Sequence, residues 1–138
     1  MRIIKKEIVI NAPLAKVWEH ITDPKKIAGW FRPNTFEARV GAAITIDCQT
    51  GDDHIAGIVK EVVPLKKLVY TFKSDHTSVE TIVTITITQE GENTRLILVH
   101  SGWDSLPPGE QSVSDAVDNG WGQYLSNLKE YAREGGRA

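Results

Sequence analysis

The stretch from Ile8 to Phe31, IVINAPLAKVWEHITDPKKIAGWF, decides the fold. Ile4, Ile8 and Ile10 share one face of a strand that Lys6 interrupts, so apolar residues recur near every second position. Asn11 then offers an N-cap, and Pro13 falls in the first helical turn, where its missing N–H costs nothing. Leu14, Val17, Trp18 and Ile21 follow the i, i+3, i+4, i+7 rule. Lys16, Glu19 and His20 fall outside that stripe, which predicts a solvated His20. Asp23-Pro24 ends the helix, because the residue before a proline is pushed out of the α region. Asp23 caps a second short helix with an apolar side of Ile27, Trp30 and Phe31, stopped by Arg32-Pro33. No residue of the segment reads as a catalytic nucleophile or metal ligand. It specifies an architecture and hardly any chemistry.

Beyond Pro33 the pattern turns to β. Ile44 and Ile46 alternate with Thr45 and Asp47, Gly51-Asp52-Asp53 marks a hairpin turn, and Ile55 to Val63 reads as a longer strand broken by Pro64. Leu68, Tyr70 and Phe72 alternate in the next strand. From Val79 to Thr88, Val79, Val83, Ile85 and Ile87 face one way and Thr84, Thr86 and Thr88 the other. The turn Glu90-Gly91-Glu92-Asn93 leads into TRLILVHS, Thr94 to Ser101. Successive hairpins predict an antiparallel meander with one apolar face to cover. The cover is a helix from about Glu110 to Arg133, whose Val113, Val117, Trp121, Tyr124, Leu125, Leu128 and Ala132 form one broad face. Gly120 and Gly122 inside it cost about 1 kcal/mol each against alanine, which predicts close packing of strand backbone or room for a ligand. These elements imply an α+β helix-grip fold: two short helices after the first strand, and a curved antiparallel sheet of about six to seven strands around a long C-terminal helix. Residues 1–138 read as a single domain with a concave space between sheet and helix, a usual place for a small-molecule pocket.

Composition narrows the function classes. A chain of 138 residues with 41% hydrophobic and 25% charged residues and a formal net charge of -2 is an ordinary globular domain, without the basic footprint of a nucleic-acid binder. The single cysteine, Cys48, excludes an intramolecular disulfide and suits a reducing compartment; it reads as a small buried apolar residue in phase with Ile44 and Ile46. The N-terminus lacks a signal-peptide core, and no run approaches a membrane span. A cytoplasmic protein, monomeric or weakly homodimeric, is the expectation.

Four segments carry a family resemblance: APLAKVWEHITDPKKIAGWF; Gly57 with EVVPLKKLVYTF (Glu61 to Phe72); TRLILVHSGW (Thr94 to Trp103); and NGWGQYLSNLKEY. In this order they resemble the SRPBCC (START-like) superfamily, and within it the group homologous to the activator of the heat-shock-protein-90 ATPase. The resemblance runs from Ile8 to Tyr131. It implies the helix-grip fold and leaves the activity open, since the superfamily includes lipid carriers, hormone receptors and polyketide cyclases. It also implies a stress-response setting and a chaperone contact. The namesake co-chaperone carries an additional N-terminal domain important for stimulating the ATPase, whereas this sequence begins at the helix-grip domain; chaperone activation is therefore not the leading expectation.

The chemistry-bearing residues are few. His20, His54, His76 and His100 show no HxH or HExxH spacing, so neither metal nor cofactor is expected. His100, Ser101 and Asp104 invite a triad reading, but adjacent strand residues point to opposite faces, and the resemblance implies a structural role for HSGW. Gly120-Trp121-Gly122 lies mid-helix and fails the context of a phosphate loop. The candidate ligand-binding residues are Trp30, Phe31, His54, Tyr70, Phe72, His100, Trp121 and Tyr124. Phe72 reads first as core; Tyr70, Trp121 and Tyr124 read equally as core or ligand contacts, because their polar tips need partners if buried. The leading reading is a binding module for a small hydrophobic or aromatic molecule, not an enzyme. One alternative is a cyclase- or hydrolase-type enzyme using His54, His100, Tyr70 or Glu80 as acid or base; another is a chaperone-associated interaction protein, which predicts an apolar patch outside the sheet or near Trp103.

Overall fold

The structure, a computed structural model, describes residues 3–31, 34–47, 54–74, 80–110 and 113–135. The elements run β1 (Ile4–Ile10), α1 (Leu14–Thr22), α2 (Pro24–Trp30), β2 (Ala43–Asp47), β3 (His54–Val63), β4 (Lys67–Ser74), β5 (Thr81–Glu90), β6 (Asn93–Ser101) and α3 (Val113–Gly135). Short 3₁₀ turns at Trp103–Ser105 and Pro108–Glu110 join β6 to α3. All strand pairs are antiparallel in the order β1-β6-β5-β4-β3-β2. Strands β2 to β6 form the meander, and β1 adds itself beside β6. This is the helix-grip fold.

The alternation of β4, β5 and β6 sends Leu68, Tyr70, Phe72, Val83, Ile85, Ile87, Leu96 and Leu98 to the inner face, where all are buried. Trp121, Leu125, Leu128 and Ala132 of α3 bury there too, with Val113, Val117 and Tyr124 packed at the margin. Lys6, the interruption in the β1 stripe, also lies on this face, opposite Leu98 in the register. Its ammonium meets the Asp118 carboxylate of α3 at 2.5 Å, so a helix charge satisfies what would otherwise be a break in the core.

At Gly57 the backbones of β3 and β4 come close. A Cβ there would lie 1.9 Å from the Thr71 carbonyl oxygen of β4. The Ile58 N–H donates to Thr71 Oγ1 at 2.8 Å, and the β3–β4 register shifts between Val59 and Glu61. A glycine lets two backbones approach this closely.

Several local expectations are corrected. Asn11 is not the N-cap of α1: the cap is Pro13, and the Leu14 N–H is satisfied from β5 by Gln89 Oε1 at 3.1 Å. Thr94 Oγ1 donates to the Ala12 carbonyl at 2.8 Å, and the Ala12 N–H donates back to the Ile10 carbonyl at 2.8 Å, so Asn11 and Ala12 form a bend between β1 and α1. Asp23 does cap α2, accepting from the Lys25 N–H at 2.9 Å. Strand β5 begins at Thr81, which takes the first inner position; Val79, Cys48, His76 and the Gly51 turn lie outside the described residues. His20 is not solvated but buried, because the Tyr131 ring of α3 packs edge-on over its imidazole at 5.3 Å. Tyr131 reaches it by crossing Gly29, where a Cβ would lie 2.4 Å from Tyr131 Cζ. The outer sheet face is less polar than its threonines suggest, since Ile58 and Ile82 are exposed there, while Trp103 is buried.

The two glycines of α3 are not there for close packing. A Cβ on Gly122 would meet nothing within 4 Å, and one on Gly120 only Tyr124 Cε2 at an ordinary 3.7 Å. Gly122→Ala is therefore expected to stabilise the protein by about 1 kcal/mol through helix propensity. Urea unfolding measures this, and a loss of stability would show that the helix needs backbone freedom at this point.

Candidate ligand site

A pocket opens on the inner face of the sheet at its β2–β4–β5 side. Ile44 and Ile46 of β2, Leu68 and Tyr70 of β4 and Ile85 of β5 make its floor. Ile21 of α1, Ile27 and Trp30 of α2, and Phe31, Asn34 and Phe36 beyond α2 make its walls and roof. Its empty volume is about 380 Å³ including the open mouth; little of that is deep enough to hold even a water clear of the walls. The α1–α2 hairpin holds the roof in place. Trp30 Nε1–H donates to the His20 carbonyl at 2.8 Å, fixing the indole flat against the end of α1. Phe31 closes the side towards α3: it stacks on Trp121 at 5.5 Å and 16° and meets Tyr124 edge-on at 4.5 Å.

Phe31 is thus a partition. On its pocket side stand Trp30 and Tyr70; on its other side stand Trp121, Tyr124, Phe72 and His100. Of the eight residues singled out from sequence, Trp30, Phe31 and Tyr70 line this pocket and the other four described ones stand behind the partition. His54 opens β3, and its side chain lies outside the described residues. Among the described residues none of α3 lines this pocket; α3 acts on it through Phe31.

The far side is a closed polar relay inside an aromatic cage. Trp121 Nε1–H donates to His100 Nδ1 at 3.0 Å, which leaves the ring proton on Nε2. Nε2–H then faces Thr81 Oγ1 at 2.6 Å, and that hydroxyl donates to the Phe72 carbonyl at 2.9 Å. Every side-chain polar atom of this relay has a partner. Phe72 and Trp103 pack on the imidazole with centroids 4.7 and 4.6 Å away, and burial pulls its pKa down to about 3. His100 therefore stays neutral with both nitrogens occupied, a joint between β6, β5 and α3 rather than a free base. Ser101 pairs with Ile82 on the opposite face from His100, so the triad has no geometry. Glu80 is exposed.

Burial pushes the Tyr70 hydroxyl pKa up, so this group holds its proton. Phe36 packs edge-on to its ring at 5.9 Å. Phe36, Ile27 and Ile44 are lining residues that sequence reasoning did not single out. Phe36 sits in a stretch without periodicity, where no pattern signals that an aromatic turns inward. Among the described residues no three His, Cys, Asp or Glu side chains come together to hold a metal ion, and no helix is long and apolar enough to cross a membrane.

An antiparallel sheet gripping a long helix, with an apolar pocket under two short helices, defines a helix-grip protein of the START-like class. Within that class the chain belongs to the family of activator of Hsp90 ATPase homolog 1-like proteins, which it matches over residues 11–133. Protein MLL2253 from Mesorhizobium loti is similar at 27% identity with a TM-score of 0.82, over 94% of this chain and 95% of that one. DynU16, from the dynemicin biosynthetic locus, is 26% identical with a TM-score of 0.82 over 96% of this chain; the match spans only 48% of DynU16. The Aha1 dimer from Colwellia psychrerythraea shares the fold at 18% identity, with a TM-score of 0.81 and 98% of each chain covered. Among curated proteins none matches.

Proposed function

We propose that this protein binds a small apolar or aromatic molecule between its sheet and helices, with the pocket under α2 as the anchoring site. The observation that carries the reading is the lining: apolar side chains from β2, β4, β5, α1 and α2 converge on one concavity, and its inner wall is a single half-buried ring, Phe31. Trp30, Phe31 and Tyr70 are the direct contacts. Trp121 and Tyr124 back Phe31, so a ligand larger than the pocket displaces that ring towards them and gains the aromatic surface behind it. Phe72 and His100 are the rigid wall of that second space, and His54 is proposed for the sheet margin. The occupied nitrogens of His100 and the exposure of Glu80 support binding over catalysis.

The test is a thermal-shift series with neutral bicyclic aromatics on the wild type and on Ile85→Phe, which places a ring into the pocket floor. A ligand at a hundred times its Kd raises stability by about 2.7 kcal/mol, so the wild-type Tm rises measurably. The filled variant is expected to show no rise. Equal rises in both proteins place the ligand elsewhere and defeat this reading.

A further inference from the structure

We propose that Phe31 plugs an aromatic slot between the indoles of Trp30 and Trp121, and that a flat fused-ring aromatic ligand takes its place there. This deepens the binding reading above and rests on it. Three observations converge. The Phe31 ring stacks on both indoles, with centroids 5.5 Å away in each case and planes 26° from Trp30 and 16° from Trp121. Both indoles are buried and anchored by their ring N–H groups, Trp30 to the His20 carbonyl at 2.8 Å and Trp121 to His100 Nδ1 at 3.0 Å. Phe31 itself is only half-buried, and its ring has nothing but packing to hold it, so it is the member of the stack that can leave.

The anchored walls define what can replace it. A ring that stacks on both indoles fills a gap of a single ring's thickness, and the hydrogen bonds on either side keep that gap from widening. A planar ligand enters it edge-first from the pocket, where Trp30 and Phe31 already form part of the lining. A saturated ligand of the same outline is too thick. Three fused rings cover more of each indole face than a phenyl ring does, so the exchange gains stacking surface as well as burial. Tyr124, edge-on to Phe31 at 4.5 Å and itself half-buried, receives the displaced ring at the margin of α3. Phe31 is thereby the specificity-determining residue: in place it limits the pocket to small ligands, and on leaving it admits flat ones only.

Phenanthrene, its saturated counterpart perhydrophenanthrene and the smaller naphthalene test this on the wild type, Phe31→Ala and Phe31→Leu, by equilibrium dialysis. The wild type is expected to bind phenanthrene roughly tenfold more tightly than perhydrophenanthrene. Both variants are expected to bind phenanthrene more tightly than the wild type does. The gain is about tenfold in Phe31→Ala and smaller in Phe31→Leu, which keeps bulk in the slot but stacks on neither indole. In NMR spectra of the wild type, phenanthrene is expected to shift the Trp121 indole N–H resonance, assigned by its loss in Trp121→Phe, and naphthalene to leave it in place. The inference is overturned if the saturated tricycle binds as well as phenanthrene, if neither Phe31 variant binds phenanthrene more tightly, or if phenanthrene leaves the Trp121 resonance where it was. In those cases naphthalene binding keeps the binding reading, and only the slot falls. If none of the three compounds binds the wild type, the binding reading fails and takes this one with it.

Discussion

Gly57→Ala is expected to cost about 3 kcal/mol, the upper end of what overpacking does to a well-packed site. The added methyl would stand 1.9 Å from the Thr71 carbonyl oxygen, a position no atom can share. The obstacle is backbone, so no rotamer change relieves it; β3 and β4 must separate. Separation breaks the Ile58 N–H to Thr71 Oγ1 bond and shifts β3, and with it the β2 strand paired to β3, away from β4. Because Ile44 and Ile46 of β2 floor the pocket, the same substitution is expected to abolish ligand binding in whatever fraction still folds. Urea unfolding followed by circular dichroism measures the first effect. A midpoint within a few tenths of a kcal/mol of wild type would mean that the strands do not approach as described.

Acidification is expected to be the largest solution effect, acting through His100. An unfolded imidazole titrates near 6.5, whereas in the fold burial pulls it down to about 3. Between those values the unfolded chain binds a proton that the folded chain refuses. Stability is therefore fully present above about pH 6.5 and is lost as pH falls, by about 1.4 kcal/mol per unit for one such group. The loss levels off below the folded pKa and is on the order of 5 kcal/mol in total. His20 adds in the same direction: burial lowers its pKa against the raising effect of its hydrogen bond to the Lys16 carbonyl, and its Nε2 is buried without a partner. Unfolding free energies between about pH 7.5 and pH 5, above the range where most carboxylates titrate, isolate the histidines. His100→Leu is expected to be less stable near neutrality, because Trp121 Nε1–H and Thr81 lose their partner. Its pH slope is expected to be shallower by about one proton. Equal slopes in the two proteins would show that His100 is not a buried neutral joint.

Both effects come from contacts that no local pattern reveals. Gly57 was legible only as part of a family motif, since its partner Thr71 is fourteen positions away and the collision involves a carbonyl oxygen that every residue carries. His100 was legible as a candidate but ambiguous, because a histidine in HSGW reads alike as base or joint until its neighbours are known. His20 was misread for a related reason. Helical periodicity identifies the stripe that faces the sheet, but not a second covering from the far end of α3. Gly120 and Gly122 were readable as costly, yet the expectation of close packing fails because the space above them is open.

Alternation at period two and the stripes of α1 and α3 were enough to specify this architecture, because burial of an apolar face is a local, repeating demand that each residue answers for itself. The sequence alone therefore determined the helix-grip order, the cap at Asp23 and the inner faces of β4 and β5, and it offered most of the aromatic residues around the concavity but not Phe36. Only the tertiary structure decided how that set divides: Trp30 and Tyr70 on the pocket side of Phe31, and Trp121, Phe72 and His100 on the other, with the polar relay closed and His20 Nε2 left without a partner. The reason is physical. Whether a buried polar atom is satisfied depends on partners from distant strands meeting it at hydrogen-bond distance, and that condition is set by the packed fold as a whole.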